Sequence, residues 1–254
     1  MKRYSFLLLL ILLIVGVGAA IAWGLSKPQE ISFVRDGIAA LGNDGPEKPK
    51  AKHVETPPSV KAVYMSQCVV GTPSFRDSLV KLIDETELNS VVIDIKDYTG
   101  KIAFSTDNPA LSSSVSDDCG ATDMKAFIET LHDKNIYVIG RITVFQDPFY
   151  TKNHPELAVK KNSDRTVNWK DRKGLSFIDV GARPYWDYVV ELSKESYAIG
   201  FDEINYDYIR FPSDGDMTDI YFTHSQGKTK RVALEEFFKY LHEAVKPEGI
   251  VMSA

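Results

Sequence analysis

From residue 60 onward, short runs rich in β-branched residues alternate with longer amphipathic ones, and this alternation restricts the fold more than any other feature. The spacing predicts strands over 62–66, 90–96, 136–144, 203–210 and 250–253. Helices are expected between them over 74–86, 124–134, 184–197 and 232–245. In the first, Leu79, Leu82 and Ile83 fall at i, i+3 and i+4 with Ser74 as cap; Thr122 or Asp123 caps the second. Two segments interrupt the rhythm. One is a polar excursion over 98–118; the other is about forty residues of turn-rich loop after the third strand, with a short strand expected at 176–180.

Strands joined by single helices run parallel, so the class is α/β. A doubly wound open sheet and a TIM barrel both satisfy that pattern. No Gly-x-Gly-x-x-Gly or Gly-x-x-x-x-Gly-Lys-Ser/Thr follows a strand, which leaves a nucleotide site without support. Polar residues gather instead at the C-terminal ends of strands two, three and four, where barrel enzymes place their chemistry. A complete barrel takes eight strands and about 250 residues. About five strands are legible here, so the expectation is an incomplete (β/α)8 barrel over 61–254. An unpaired apolar edge at Ile250, Val251 and Met252 suggests a fragment of a longer chain; closure by dimerisation or an open sheet is the alternative.

Ahead of this domain, Lys2 and Arg3 precede an uninterrupted apolar run over 6–25. About 20 helical residues at ~1.5 Å each match the ~30 Å bilayer core. The run is therefore expected to enter a membrane, either as a single-pass anchor or as a signal peptide cleaved after Ala20-Ile21-Ala22. Both place the rest of the chain outside the cytoplasm, membrane-bound or secreted. Residues 26–60, with Lys27-Pro28, Gly45-Pro46 and Pro57-Pro58, read as an extended linker.

Charge and cysteine content narrow the chemistry. Residues 52–254 carry 24 basic against 31 acidic side chains, which argues against a nucleic-acid partner. Cys68 and Cys119 belong to no zinc-type cluster; in an oxidising compartment they could pair or remain buried thiols. The five histidines avoid the predicted strands and form no His-x-His or His-Glu-x-x-His, so no metal is expected. A Gly-x-Ser-x-Gly elbow is also absent.

What remains is a set of strand-borne charges. By alternation, Asp94 and Lys96 share a face on strand two, Arg141 lies in register with Tyr137 and Ile139 on strand three, and Glu203, Asn205 and Asp207 share a face on strand four. Such charges at one end of a barrel perturb each other's pKa values, as acid/base chemistry requires, although a plain ion-pair network such as Asp94 with Lys96 or Arg141 with Glu203 is the blander reading. Carboxylates without metal ligands or a Ser/Cys nucleophile suit glycoside chemistry and require no cofactor. Tyr98, Phe145, Phe149, Tyr150, Trp169, Tyr208 and Phe211 lie on or beyond strand ends, where sugars stack. The candidate catalytic residues are Asp207 and Glu203, and the candidate substrate contacts are Asp94, Lys96, Arg141, Asn205, Tyr208 and Arg210.

The stretch GFDEINYDYIRFP from Gly200 to Pro212 resembles the fourth-strand signature of a family described as a "putative glycosyl hydrolase domain", TIM barrels related in layout to α-amylase-like hydrolases. VVIDIKD from Val91 with Gly100 after it, RITVFQDP from Arg141, and Trp186-Asp187-Tyr188 support it, and the likeness extends over about residues 60–254. The resemblance implies that Asp207 stands where related hydrolases carry the nucleophile, with Glu203 and Asn205 orienting it. It also implies a second carboxylate just after the fifth strand, so that only Asp94 or Glu203 stands in for the acid here. The expected activity is hydrolysis of an extracytoplasmic polysaccharide or oligosaccharide; a non-catalytic glycan-binding or cell-envelope module is the alternative.

Overall fold

The computed structural model describes residues 51–254. The apolar run at 6–25 and the linker up to residue 50 lie outside the described residues; among those described, no helix is long and apolar enough to cross a membrane. Strand β1 (Ala62–Met65) leads into α1 (Gln67–Val70), a single turn capped by Ser66 that carries no periodic signal. Helix α2 (Pro73–Asp84) starts earlier than expected, because Pro73 is preset for a first helical position; Ser74 sits in its first turn and Thr72 precedes it. Then come β2 (Ser90–Lys96), α3 (Met124–Asp133) and β3 (Tyr137–Thr143). Asp123 does stand at the start of α3, but its carboxylate is taken by Arg76, at 2.6 and 2.8 Å, rather than by the helix backbone. Helix α4 (Pro148–Asn153) and β4 (Lys160–Lys161) occupy the long loop. They precede α5 (Arg183–Ala198), β5 (Glu203–Asp207), β6 (Ile220–Tyr221), α6 (Lys230–Val245) and β7 (Val251–Ser253).

Five of these strands form one parallel sheet in the order β1-β2-β3-β5-β7, the layout of a partial TIM barrel. β4 and β6 pair separately as an antiparallel ribbon. Ile93, Ile95, Ile142, Ile204 and Tyr206 are buried in the main core with residues of the helices, and Tyr206 reaches Ser193 of α5 with its hydroxyl at 2.9 Å. β3 needs glycine at 140, where a Cβ would fall 2.2 Å from Ile95 Cδ1. The short strand expected at 176–180 consists only of isolated bridges, from Ser176, Phe177 and Ile178 to Lys170, Gln146 and Ala158. Phe177 packs there with Val159 and Trp169 in a small second core.

The excursion after β2 is polar in composition yet firmly held. Ile102, Phe104 and Leu111 are buried, and Ala103 N–H donates to the Ile95 carbonyl at 2.9 Å. Cys68 and Cys119 form a disulfide, with Cα atoms 4.6 Å apart, joining α1 to this loop. Glycine at 71 makes the approach possible, since a Cβ there would lie 2.4 Å from the Gly120 carbonyl oxygen.

Residues 51–58, at the end of the expected linker, pack at the N-terminal end of the sheet. Val54 N–H donates to Asp202 Oδ1 at 2.8 Å, the His53 ring stacks on Tyr197, and Thr56 meets the Tyr137 hydroxyl at 3.0 Å.

Candidate active site

The strand register brings Asp94 opposite Arg141, and Arg141 opposite Asn205. The Arg141 guanidinium then bridges two carboxylates. Nη1 donates to Asp94 Oδ1 at 2.7 Å, while Nε and Nη2 donate to Asp207 Oδ2 at 2.9 and 2.7 Å. Tyr64 of β1, which the sequence reading passed over, donates its hydroxyl to Asp94 Oδ2. Its signal was available, because alternation in β1 puts Tyr64 in register with Val92, two residues before Asp94 and on its face.

The two carboxylates differ in setting. The Asp94 side chain is 3% exposed and that of Asp207 46%. Burial pushes the Asp94 pKa above the ordinary carboxylate range, against the pull of its bonds from Tyr64 and Arg141. Burial also opposes the Arg141 cation, but Asp94 and Asp207 outweigh it and hold its pKa above the usual arginine value. The Tyr64 phenol is pushed up, by burial first and then by its bond to Asp94. Asp207 lies at the C-terminal end of β5, and its Oδ1 accepts the Tyr208 N–H at 2.6 Å. Tyr208 has a left-handed φ of 53°, which ends the strand three residues before the expected Arg210.

Two expectations are corrected. Lys96 does not share the Asp94 face, because the register shifts between them and sets Lys96 opposite Ile142. Its ammonium is fully buried and donates to Asp147 Oδ2 at 2.9 Å, near the Tyr185 ring of α5, out of reach of any substrate. Glu203 opens β5 as expected, but from there it does not meet Asp207 at the barrel mouth: it stands four residues before Asp207 and so about 13 Å away along a strand. It is buried, accepts the Tyr137 hydroxyl at 2.9 Å and the Ser253 hydroxyl, and makes no pair with Arg141. Glu203 therefore holds β3 and β7 to β5, and its geometry does not suit the acid role. Asn205 donates to Ser253 Oγ at 2.8 Å and extends that same chain of bonds beside Arg141.

Arg210 is exposed, donates to Ser213 and lies with its guanidinium carbon 5.0 Å from the Tyr208 ring centre. Of the aromatic residues beyond strand ends, Phe145, Trp169 and Phe211 are core, and Phe149 and Tyr150 are half-buried. Tyr98 and Tyr208 instead line a cavity together with Gln146, Lys173 and Leu175.

A family model described as "Putative glycosyl hydrolase domain" matches residues 62–254. A crystal structure of a hypothetical protein from Ruminiclostridium thermocellum ATCC 27405 is 34% identical with a TM-score of 0.67, over 76% of this chain and 96% of that one. A chitobiase from Flavobacterium johnsoniae is 12% identical with a TM-score of 0.54, and an alpha-N-acetylgalactosaminidase from Bifidobacterium bifidum is 13% identical with a TM-score of 0.51. Each of these two matches over 76% of this chain, which spans only 31% and 34% of their respective lengths, a likeness of fold. No curated protein matches the sequence. The match over 62–254 and the close likeness to the R. thermocellum structure show that the chain belongs to the family described as "Putative glycosyl hydrolase domain".

Proposed function

We propose that the barrel mouth is a glycoside hydrolase site in which Asp207 acts as nucleophile or base. The observation that carries this reading is the position of Asp207: a half-exposed carboxylate at the C-terminal end of a central barrel strand, gripped by Arg141. Two donors on Oδ2 and one on Oδ1 fix its orientation, and its 46% exposure leaves the carboxylate open to a substrate. Asp94 acts through Arg141 as a positioning residue, since its carboxylate is buried behind the guanidinium. The substrate is a polysaccharide or oligosaccharide outside the cytoplasm. The Cys68–Cys119 disulfide supports an oxidising compartment, in keeping with an apolar run at 6–25 that anchors or exports the domain.

The test uses 2,4-dinitrophenyl glycosides, whose leaving group departs without a proton donor, so nucleophilic attack is read without any general acid. The full chain is expected to turn over a member of such a panel; where Asp207 is the nucleophile, the matching 2-deoxy-2-fluoro glycoside labels the peptide that carries it, and where it is the base, turnover proceeds without a label. Asp207→Asn should lower turnover by about three orders of magnitude or more while leaving Tm unchanged. Retained turnover in that variant would sink the proposal. A second reading, glycan binding without hydrolysis, draws on the fact that both Asp207 oxygens already accept hydrogen bonds. It requires saturable binding with no product released.

A further inference from the structure

Beside Asp207 lies a cavity of about 360 Å³ lined by Tyr98, Gln146, Lys173, Leu175 and Tyr208. Backbone bonds place it there. Val144 N–H donates to the Asp207 carbonyl at 2.8 Å and Phe145 N–H to the Tyr208 carbonyl at 3.3 Å, so the ends of β3 and β5 run on together and Gln146 emerges next to Tyr208. Gln146 is 5% exposed, and its Oε1 is buried with no hydrogen-bond partner. Its orientation is set by the neighbouring carboxylate: Nε2 lies 3.4 Å from Asp171 Oδ2, and reversing the amide would bring oxygen against oxygen. A buried acceptor left unpaired costs about 1–3 kcal/mol, and a ligand donor relieves it once the Gln146 side chain turns its Oε1 into the cavity.

The same Asp171 shapes the rim. Its Oδ1 accepts the backbone N–H groups of Lys173 and Leu175 at 2.9 and 2.8 Å, which folds the 171–175 turn against Gln146 and sets both residues on the cavity wall. Lys173 has no carboxylate within 4.0 Å among the described residues, and neither has Arg210, which packs on Tyr208. Tyr98, 57% exposed, faces the cavity from the loop after β2.

We propose that this cavity binds one ring of an acidic glycan. Gln146 Oε1 accepts a ring hydroxyl, Tyr98 and Tyr208 flank the ring, and the Lys173 ammonium meets its carboxylate. The proposal rests on the hydrolase reading only in taking the ligand to be a sugar; it adds the substrate class and a specificity-determining amide.

The test is calorimetric titration of the full chain, carrying Asp207→Asn to prevent turnover, with matched probes. One pair is an oligogalacturonate and its carboxyl-reduced counterpart. The other is the GlcNAc-MurNAc disaccharide and chitobiose, which differ by a lactyl carboxylate. The acidic member of at least one pair should bind more tightly, with an affinity that falls as salt rises. Lys173→Gln should erase the preference without weakening the neutral member. Gln146→Met, of similar volume, should weaken both by about three- to tenfold at unchanged Tm. Equal affinity within each pair, a preference that survives Lys173→Gln, or no saturable binding of any probe overturns the proposal. Its fate is separable from that of the hydrolase: turnover of the dinitrophenyl glycosides without discrimination within pairs leaves the enzyme and removes the subsite, whereas discrimination with no turnover leaves a binding site alone.

Discussion

Replacing Arg141 with methionine keeps most of the side-chain stem and removes a guanidinium that makes three charge-assisted hydrogen bonds. The Asp207 half of the network is 46% exposed, so its loss costs about 1 kcal/mol at most. The Asp94 half is different, because that carboxylate is 3% exposed and stripping a buried charge of its partner costs about 3–5 kcal/mol. Arg141 itself is 20% exposed and Tyr64 still donates, so the lower end applies, about 3 kcal/mol at pH 8. Asp94 can escape an unpaired charge by taking up a proton. Its pKa is already raised by burial, and loss of the cation raises it further. A carboxyl whose folded pKa exceeds its unfolded value near ~3.9 favours folding below that value and loses the advantage as pH rises through the folded pKa. The deficit of Arg141→Met should therefore be full at pH 8 and shrink to about half or less at pH 5. Urea unfolding followed by circular dichroism at both pH values measures it, and Asp94→Asn added to Arg141→Met should restore most of the loss at pH 8. A penalty under about 1 kcal/mol at pH 8, or one equal at both pH values, refutes the reasoning.

Two further outcomes follow from groups away from the mouth. Opening the Cys68–Cys119 link, which spans a sequence separation of 51, should destabilise the domain by about 4 kcal/mol on the chain-entropy model, measured as the shift in urea midpoint between wild type and the Cys68→Ser/Cys119→Ser variant. Burial pushes the Asp202 carboxyl up, but hydrogen bonds with His132, Val138 and Val54, together with the His53 ring 3.5 Å away, outweigh it and hold the pKa below the ordinary range. The stability this lends is present above the unfolded pKa and lost as pH falls through the folded one. Tm between pH 6 and 2 should thus fall less steeply in Asp202→Asn than in wild type; parallel curves would exclude Asp202 as the source.

The alternation of strands and helices was legible because parallel strands are buried on both faces and leave dense β-branched runs, as in VVIDI of β2. The class and the five strands follow from it, whereas the ion pairs expected from it, Asp94 with Lys96 and Arg141 with Glu203, gave way to Arg141 bridging Asp94 and Asp207 once the strands were in register. Lys96 went astray because counting by twos assumes a regular pleat. The shift that turns it away goes with an ion pair to Asp147, 51 residues further on, which no local pattern reveals. Glu203 misled for another reason. Period-two logic reports which face a residue takes but not its height along the strand, and Glu203 stands at the start of β5. Gln146 stands within the RITVFQDP motif, but the motif gives it no role; its significance comes from an acceptor left without a donor once Asp171 folds beside it.

The packing of residues 51–58 changes where this domain begins. The family match starts at residue 62, yet His53 and Val54 contact Asp202, and Thr56 contacts the Tyr137 hydroxyl, which in turn holds Glu203. A polypeptide trimmed to the homology boundary would keep every strand and lose these contacts. Two of the four groups that hold down the Asp202 pKa, His53 and Val54, would go with them. A boundary at or before residue 51 retains them, so the folded unit starts about ten residues ahead of the family match.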